Sequence, residues 1–379
     1  MAVRKEQELV HDGRNPLLYV YTTIRIFGTL LISPSLSPSP EIRFTLSEYP
    51  FMNLRLSHPF RGVLPAVTTP FDENMEIDHL ALGRQVRLLL DQGCSGIVPC
   101  GSLGEGATLS NEERARVIAT CIAYAEGAPV IPGIAAASTA DAVAQAKNAA
   151  ALGASALMVL PPYIYSSDWR EMAAHVSAVI SATSLPCMLY NNPPAYRTDF
   201  TPTQIAELAQ GHKNLVAVKE SGGDIRRITA ILATPGNRLE VGVGLDDIVV
   251  EGIAAGASFW IAGLADALPA ESVRLFDLAS QGQHDEAQKL LRWFLPLLRF
   301  DTGIKFVQLI KLVQERCGVC SARVRAPRLA LTGVELEQAE RVISEALASR
   351  VSLAPANGRM RVSQADAASA SPRSSSSMA

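Results

Sequence analysis

Residues 187–221 read CMLYNNPPAYRTDFTPTQIAELAQGHKNLVAVKES and contain the repeating unit from which the architecture can be inferred. Two short apolar runs lie at its ends, one finishing at Tyr190 and the other at Lys219. Between them, Thr201 precedes a segment with helical spacing, as an N-cap residue does. This is the spacing of one strand–helix–strand unit. Tyr190 and Lys219 are therefore predicted to point to the same end of a parallel sheet.

The same alternation recurs along most of the chain. The strand-like runs are Gly62–Thr68, Gly96–Pro99, Val130–Gly133, Ala156–Leu160, Cys187–Tyr190, Leu215–Lys219, Leu239–Val243 and Ser258–Ile261. They are continuously apolar, which is typical of strands buried on both faces. Eight strands, each followed by a helix, within about 250 residues predict an α/β fold of the (β/α)8 TIM-barrel type. A doubly wound open sheet is the alternative, but no G-x-G-x-x-G follows the first run.

Capping residues support the helices between these runs. Two helices are predicted at Asp78–Asp91 and Asn111–Tyr124 from the spacing of their apolar residues. Ser110 and Glu113 have the spacing of a capping box. Ser138, Ser167 and Thr201 stand where further helices are expected to begin.

Residues 60–268 are predicted to form the barrel core, and more helices follow than are needed to close it. These helices are expected at Pro269–Gln281, His284–Arg299, Thr302–Arg316 and Glu335–Ala348. Residues 269–350 are therefore predicted to contain the helix that closes the barrel and a C-terminal helical appendage.

Both ends of the chain differ from this pattern. Residues 17–32 are fairly apolar, which raises a signal peptide or membrane segment, but Arg25 interrupts the run and it is short for a bilayer. A serine- and proline-rich linker follows at 33–40. Residues 1–59 are predicted to be a disordered extension, and the serine- and alanine-rich residues 351–379 a disordered tail.

The composition excludes several classes of function. Apolar residues make up 48% and charged residues 19% of the chain, with a net charge of −3. That balance gives no basis for binding nucleic acid or an anionic membrane. Cys317-Gly-Val-Cys320 lacks the second ligand pair that a zinc site needs. We expect a cytoplasmic protein with a small-molecule substrate and no metal.

Lys219 is the first candidate for chemistry, because it finishes an apolar strand. Burial lowers the pKa of a lysine and favours the neutral amine, which is the nucleophile that attacks a carbonyl or imine carbon. The alternative is a lysine that reaches solvent along its stem. Tyr190 could relay protons beside it, or could simply pack the barrel mouth.

Two further strand ends carry polar candidates. Residues 100–106, CGSLGEG, follow the second run, and their glycines and successive N–H groups suit a carboxylate, although a plain turn remains open. The phosphate-loop spacing is missing. Asp246 and Asp247 follow the seventh run and either bind substrate hydroxyls or ammonium groups or cap the next helix.

Taken together, these motifs resemble the dihydrodipicolinate synthase and N-acetylneuraminate lyase family of class I, Schiff-base enzymes. The resemblance covers about Phe60 to Ala348. It rests on Thr68-Thr-Pro-Phe71, Gly101-Ser-Leu-Gly-Glu105, Leu109-Ser-x-x-Glu-Arg114, Pro162-Tyr163, Tyr190-Asn-x-Pro193, Val218-Lys-Glu-Ser221 and Gly244-x-Asp246.

The resemblance implies a role for each matched residue. Lys219 would form the Schiff base, and Tyr190 would shuttle protons. Gly101, Ser102 and the Leu103 amide would hold the substrate carboxylate. The remaining substrate contacts would come from Glu105, Tyr163, Ser221, Gly244, Asp246 and Asp247. The resemblance also implies a homotetramer that uses no metal or organic cofactor.

Several positions depart from the family pattern. Leu103 replaces a hydroxyl residue of the carboxylate loop. Dihydrodipicolinate synthases carry a tyrosine where this chain has Ile164, with Tyr165 one place on. They carry an arginine, for the carboxylate of the aldehyde substrate, where this chain has Ala195, with Arg197 two places later. The loss of a bidentate arginine argues against that substrate.

The set Gly-Ser-Leu-Gly-Glu, Tyr-Asn-Asn-Pro, Asp224-Ile-Arg-Arg-Ile228 and Val324-Arg-Ala-Pro-Arg328 resembles a subgroup associated with hydroxyproline degradation. The enzyme of that subgroup is 1-pyrroline-4-hydroxy-2-carboxylate deaminase. The alternatives are an aldolase or dehydratase of 2-keto-3-deoxy sugar acids, a dihydrodipicolinate (4-hydroxy-tetrahydrodipicolinate) synthase, and a non-catalytic ligand sensor that uses the same pocket.

Overall fold

The computed structural model describes residues 59–165 and 167–351. The predicted disordered extension and tail lie, except for residues 59 and 351, outside the described residues. Both therefore stay predictions.

Seven parallel strands form one sheet in the described part of the chain. They are β1 (Gly62–Pro65), β2 (Gly133–Ile134), β3 (Leu157–Val159), β4 (Cys187–Asn191), β5 (Leu215–Glu220), β6 (Glu240–Val243) and β7 (Phe259–Ala262). The order across the sheet is β1-β7-β6-β5-β4-β3-β2. In the register, Tyr190 of β4 lies opposite Lys219 of β5, and Lys219 lies opposite Gly242 of β6. The prediction that Tyr190 and Lys219 lie at the same end of a parallel sheet is confirmed.

The predicted strand Gly96–Pro99 is not a regular strand, but its backbone bonds to both edges of the sheet. On the β1 side, the Val98 N–H donates to the Pro65 carbonyl at 2.9 Å. On the other side, the Ile97 N–H donates to the Pro129 carbonyl and the Ile97 carbonyl accepts from Ile131, each at 2.8 Å. Prolines at 99, 129 and 132 have no N–H to donate, so the ladder stays short. The same prolines explain why regular β2 begins only at Gly133.

Helices follow the strands and cover the sheet. They are α1 (His79–Asp91), α2 (Asn111–Ala125), α3 (Thr139–Ala151), α4 (Trp169–Ser181), α5 (Pro193–Tyr196), α6 (Pro202–Gly211), α7 (Arg226–Leu232) and α8 (Val249–Ala254). Their inward residues and the strands form one continuous apolar core. The prediction of a parallel α/β fold is confirmed.

Most of the predicted capping residues are confirmed. The Ser110 capping box is confirmed, because its hydroxyl accepts from the Glu113 N–H and the Glu113 carboxylate accepts from the Ser110 N–H. Thr201 forms an equivalent box at α6, and Ser138 caps α3. The prediction for Ser167 is wrong by one residue. Asp168 caps α4 instead, because its carboxylate accepts from the backbone N–H at position 171.

Four helices follow the last strand: α9 (Pro269–Ser280), α10 (His284–Leu298), α11 (Phe306–Arg316) and α12 (Gly333–Ala348). Helix α10 packs against α9 and α12. The predicted helix at Thr302–Arg316 begins only at Phe306, because Arg299–Thr302 forms a 3-10 turn and Gly303 is extended. That turn lies against a second 3-10 turn, Asp246–Ile248, at the C-terminal end of β6.

Candidate active site

Lys219 lies at the C-terminal end of β5 with its side chain against Tyr190. Its Nζ is 4.0 Å from the centre of the Tyr190 ring, and only 6% of the residue is exposed. Burial lowers the pKa of Lys219, although the charge of Asp301 opposes that shift. The arrangement favours a neutral, nucleophilic amine at the C-terminal end of the sheet.

The Tyr190 phenol is buried and held in place. Asn192 donates to its oxygen from Nδ2 at 2.9 Å. Burial raises the pKa of Tyr190 to about 12. The phenol therefore keeps its proton near neutral pH and can donate it to a reacting oxygen or nitrogen next to Lys219.

Tyr196 is a site residue that sequence reasoning missed. It ends α5, packs edge-on against Tyr190 with 5.7 Å between ring centres, and lies 6.0 Å from Tyr163. Its hydroxyl hydrogen-bonds with the Ser102 hydroxyl. The signal was present in the sequence, because Tyr196 stands in the loop after β4 between Ala195 and Arg197. The structure thus brings together three tyrosines and Ser102.

The loop at residues 100–106 has a compact backbone that its glycines permit. A Cβ on Gly104 would lie 2.6 Å from the Val67 carbonyl oxygen, and one on Gly106 would lie 2.3 Å from the Cys100 carbonyl oxygen. The Thr69 hydroxyl donates to the Gly104 carbonyl at 2.6 Å. This packing places the loop residues Gly101, Ser102 and Leu103 at the same end of the sheet as Lys219.

Glu105 is tied to protein groups rather than directed at a ligand. Its carboxylate accepts from Lys311 Nζ at 2.6 Å and from the Arg325 N–H at 2.9 Å. Both Glu105 and Lys311 are fully buried. Lys311 also donates to the carbonyls of Thr69 and Arg323, at 2.8 and 2.7 Å. This geometry gives Glu105 a structural role that the predicted substrate contact did not anticipate.

Asp246 is also occupied by protein donors. Its carboxylate accepts from Trp260 Nε1 at 2.9 Å, from the Gly263 N–H at 3.0 Å and from the Leu264 N–H at 2.7 Å. Burial raises its pKa to about 6, so it is mostly ionised at neutral pH. The structure places its neighbour Asp247 in the same 3-10 turn, half-buried. Of the two acids predicted to contact the substrate, Asp247 is the one that does not accept from these three donors.

Gly244 and Ser221 lie directly beside Lys219. A Cβ on Gly244 would be 1.9 Å from Ser221 Oγ and 2.7 Å from Lys219 Cε, so only glycine leaves room for both side chains. Ser221 is fully buried. Of the positions that depart from the family pattern, Ile164 and Arg197 are exposed, so Arg197 does not replace the missing arginine from inside the site.

Asp301 is a second residue that the sequence did not indicate. It belongs to the 3-10 turn Arg299–Thr302, far along the chain from the strand ends. Its carboxylate packs against Gly263, where a Cβ would lie 2.5 Å from Asp301 Oδ1 and 3.4 Å from Asp246 Oδ2. Burial raises the pKa of Asp301, and the nearby Asp246 charge raises it further.

Comparisons with known proteins agree with this geometry. The family model described as "Dihydrodipicolinate synthetase family" matches residues 59–346. The chain belongs to this family. It is 33% identical over 273 residues to the 4-hydroxy-tetrahydrodipicolinate synthase of Geotalea uraniireducens, covering 71% of this chain and 92% of the relative. It is 34% identical over 292 residues to the enzyme of the same name from Xanthomonas axonopodis pv. citri, covering 76% and 95%.

Among solved structures, the dihydrodipicolinate synthase of Aquifex aeolicus is similar. The TM-score is 0.72 at 27% identity, over 76% of this chain and 98% of that one. This likeness supports a TIM-barrel-like arrangement for the parallel sheet.

Membership of the dihydrodipicolinate synthetase family makes the chain a class I lyase. Enzymes of this family act on small molecules through a lysine Schiff base, with neither a metal nor an organic cofactor. Within residues 59–165 and 167–351, no cluster of three or more His, Cys, Asp or Glu side chains could hold a metal ion. Across the same residues, no helix is both long and apolar enough to cross a bilayer.

Proposed function

We propose that Lys219 forms a Schiff base with a small 2-oxo acid or cyclic imine, and that the substrate is 1-pyrroline-4-hydroxy-2-carboxylate. The single observation that carries this proposal is the Lys219 amine, buried and 4.0 Å from the centre of the Tyr190 ring. A lysine desolvated in this way is a nucleophile, and the phenol beside it is a proton donor.

The proposed reaction uses the Lys219 nitrogen as an electron sink. Lys219 attacks C2 of the cyclic imine, and the C2–N ring bond breaks to open the ring. Loss of a proton from C3 then expels the C4 hydroxyl, which leaves as water. A proton then moves from C5 to C3, which converts the C5 amine into an enamine and, on protonation at C4, into an imine. Hydrolysis of the two C=N bonds, at C2 and C5, releases ammonia and 2,5-dioxopentanoate and regenerates the lysine. Tyr190 moves the protons at each stage.

The loop after β4 supports a substrate without a second carboxylate. Ala195 is exposed where a dihydrodipicolinate synthase carries its arginine, and Tyr196 contributes a neutral phenol instead. A phenol makes a hydrogen bond with a hydroxyl group but cannot form the bidentate pair that an arginine makes with a carboxylate. The hydroxyl on C4 of the pyrroline fits such a site.

The second candidate is 4-hydroxy-tetrahydrodipicolinate synthase, which is favoured by the names of the curated relatives at 33–34% identity. This candidate keeps the Schiff base with pyruvate and adds an aldehyde carrying its own carboxylate. A sugar-acid aldolase is less well supported, because Asp246, one of its two predicted hydroxyl-binding acids, is occupied by protein N–H groups. A non-catalytic sensor would not need the buried Lys219 amine.

The first experiment tests the Schiff base. The protein is incubated with pyruvate, reduced with borohydride and digested, and the adduct is located by mass spectrometry. We expect modification at Lys219 in the wild type and none in Lys219→Arg. An adduct on another lysine, or no adduct with any 2-oxo acid, would refute the proposal.

A second experiment separates the two candidate substrates. Ammonia release is measured with the hydroxypyrroline, and product formation is measured with pyruvate plus aspartate semialdehyde. We expect ammonia from the pyrroline. Product from pyruvate and the aldehyde, with no ammonia from the pyrroline, would instead assign the chain to the synthase.

We further infer a closed eight-stranded barrel at 60–268 with a helical appendage within 269–350. The hydrogen bonds of residues 95–99 to both sheet edges support closure. By the same family resemblance, we propose a cytoplasmic homotetramer. Light scattering coupled to gel filtration tests the tetramer.

A further inference from the structure

The pairing of Tyr190 with Lys219 depends on an irregularity in the sheet. Strand β4 pairs regularly with β5 only from Met188 onwards, because the register shifts by one residue after Cys187. Without this shift, Tyr190 would lie opposite Val218 rather than Lys219. Neighbouring residues of a strand point to opposite faces, so the shift is what puts the phenol and the amine side by side.

The next pair along the two strands, Asn191 and Glu220, is joined by a side-chain hydrogen bond on the opposite face of the sheet. The two residues lie opposite each other in the register, and Asn191 Nδ2 donates to Glu220 Oε2 at 3.0 Å. Both side chains are buried. Asparagine and glutamate are depleted in strands, and a buried polar group is costly unless it is hydrogen-bonded. This bond therefore joins the two strand ends one residue beyond the reacting pair.

Arg227 of α7 holds this bond from outside the sheet. Its Nε lies 3.2 Å from Glu220 Oε2, and its Nη2 donates to Asp199 Oδ1 and to the Phe200 carbonyl, each at 2.7 Å. Asn191 reaches the same loop, because it donates to Asp199 at 3.2 Å and accepts from the Phe200 N–H at 3.1 Å. The ends of β4 and β5, the loop after β4 and the start of α7 are thus tied together.

The Glu220 carboxylate faces N–H donors with both oxygens. Oε1 accepts from the Gly222 N–H at 2.6 Å, while Oε2 faces Asn191 and Arg227. A Cβ on Gly222 would lie 2.7 Å from Oε1, so glycine is what allows this close approach. Burial raises the pKa of Glu220, but the hydrogen bond from Asn191 and the charge of Arg227 oppose that shift. An amide at position 220 would turn an N–H₂ group toward donors.

We propose that Glu220 is a positioning residue, which holds Asn191 across the strand ends and so fixes the Tyr190 phenol against the Lys219 amine. This inference rests on the proposed Schiff-base function. Glu220 and Asn191 point to the opposite face from Lys219, so they act through the backbone of the two strands. The reaction needs this precision, because a displacement of about 1 Å can cost about 10²-fold in rate.

Rapid trapping of the pyruvate adduct tests the proposal. The protein is mixed with pyruvate, borohydride is added at successive times, and the fraction modified at Lys219 is measured by mass spectrometry. A misplaced phenol lowers the rate constant of adduct formation, whereas a loss of folded protein lowers only the final amount. For Glu220→Gln, we expect a rate constant about 10- to 100-fold lower and a final amount near that of the wild type. Glu207→Gln, exposed on α6, is the matched control and should react as the wild type does.

Exchanging the two polar groups should restore the rate. In the double variant Asn191→Asp with Glu220→Gln, the amide introduced at 220 can donate to the carboxylate introduced at 191. The cross-strand bond is then reversed in direction, and the charge of the cluster is unchanged. We expect a rate constant within about fivefold of the wild type, although Glu220→Gln alone is slow.

A further variant moves the carboxylate without replacing it. Gly222 does not have a positive φ, so alanine meets no backbone strain there. Its Cβ would lie 2.7 Å from the end of the Glu220 side chain and 3.3 Å from Arg227 Cδ, both of which belong to flexible side chains. We expect Gly222→Ala to fold and to form the adduct several-fold more slowly. Gly211→Ala, where a Cβ has open space, is the matched control and should keep the rate of the wild type.

The outcomes separate this inference from the function on which it rests. If the wild type forms no pyruvate adduct at Lys219, the proposed function fails. If the wild type forms the adduct and folded Glu220→Gln has the same rate constant, or the double variant stays as slow as Glu220→Gln, only the positioning role is overturned. If Glu220→Gln does not fold, an unchanged rate constant in Gly222→Ala overturns it.

Discussion

Replacing Lys311 with methionine should destabilise the protein strongly. Methionine fills a similar volume with an unbranched side chain but carries no charge. The substitution removes three hydrogen bonds from Nζ, to Glu105, Thr69 and Arg323, at 2.6, 2.8 and 2.7 Å. It leaves the Glu105 carboxylate fully buried without its cation.

The magnitude follows from what remains around that carboxylate. Breaking one side of a buried ion pair costs about 3–5 kcal/mol. The Arg325 N–H still donates to Glu105, and the Arg328 guanidinium is 3.9 Å away. We therefore expect the lower end, about 3 kcal/mol, which corresponds to a fall in Tm of roughly 6–12 °C in a domain of this size.

A double-mutant cycle separates the lost pair from lost packing. Glu105→Gln combined with Lys311→Met removes the unpaired charge, so the double variant should recover about 1–3 kcal/mol relative to Lys311→Met. Urea unfolding followed by circular dichroism measures all four proteins. The reasoning fails if Lys311→Met loses less than about 1 kcal/mol, or if the two single effects simply add.

Three further predictions concern single residues of the site and sheet. Tyr190→Phe should lower turnover by about 10²–10⁴-fold while borohydride still traps the adduct; loss of trapping would mean that the phenol positions the lysine instead. Ser102→Ala removes the partner of the Tyr196 hydroxyl and should raise KM about 5–10-fold at constant Tm, whereas unchanged kinetics would place that pair outside the substrate site. Gly242→Ala would put a Cβ 2.0 Å from the buried Phe259 ring, so this variant should have a lower Tm by calorimetry. A Tm equal to that of the wild type would show that the ring can move.

The sheet could be predicted because its strands are buried on both faces. Continuous apolar runs such as 187–190 and 215–219 indicate this burial directly. In the structure, each of these two predicted strands is longer by only one residue. Residues 95–99 do not form a regular strand, and the reason is local. Prolines at 99 and 129 have no backbone N–H to donate to the hydrogen-bond ladder. A prediction from strand propensity alone does not take these missing donors into account.

The site was predicted as far as strand ends define it. Lys219 and Tyr190 could be placed together because they share a register. Asp301 could not be placed at the site from the sequence, because its position beside Gly263 and Asp246 depends on how α10 ends and packs, which is a tertiary property. Glu105 was assigned to the substrate because its motif lies in the carboxylate loop. Its partner Lys311 comes from α11, and no local pattern in the sequence links the two.

The hydrogen bond between Trp260 and Asp246 also gives the enzyme an internal optical reporter. Trp260 is fully buried, and its indole donates to a carboxylate that interacts electrostatically with Lys219. The other two tryptophans, Trp169 and Trp293, lie on peripheral helices and are only partly buried. Formation of a cation at Lys219 changes the electric field at one indole far more than at the others. Intrinsic fluorescence at the red edge of excitation should therefore follow Schiff-base formation in real time, without a label or a coupled assay.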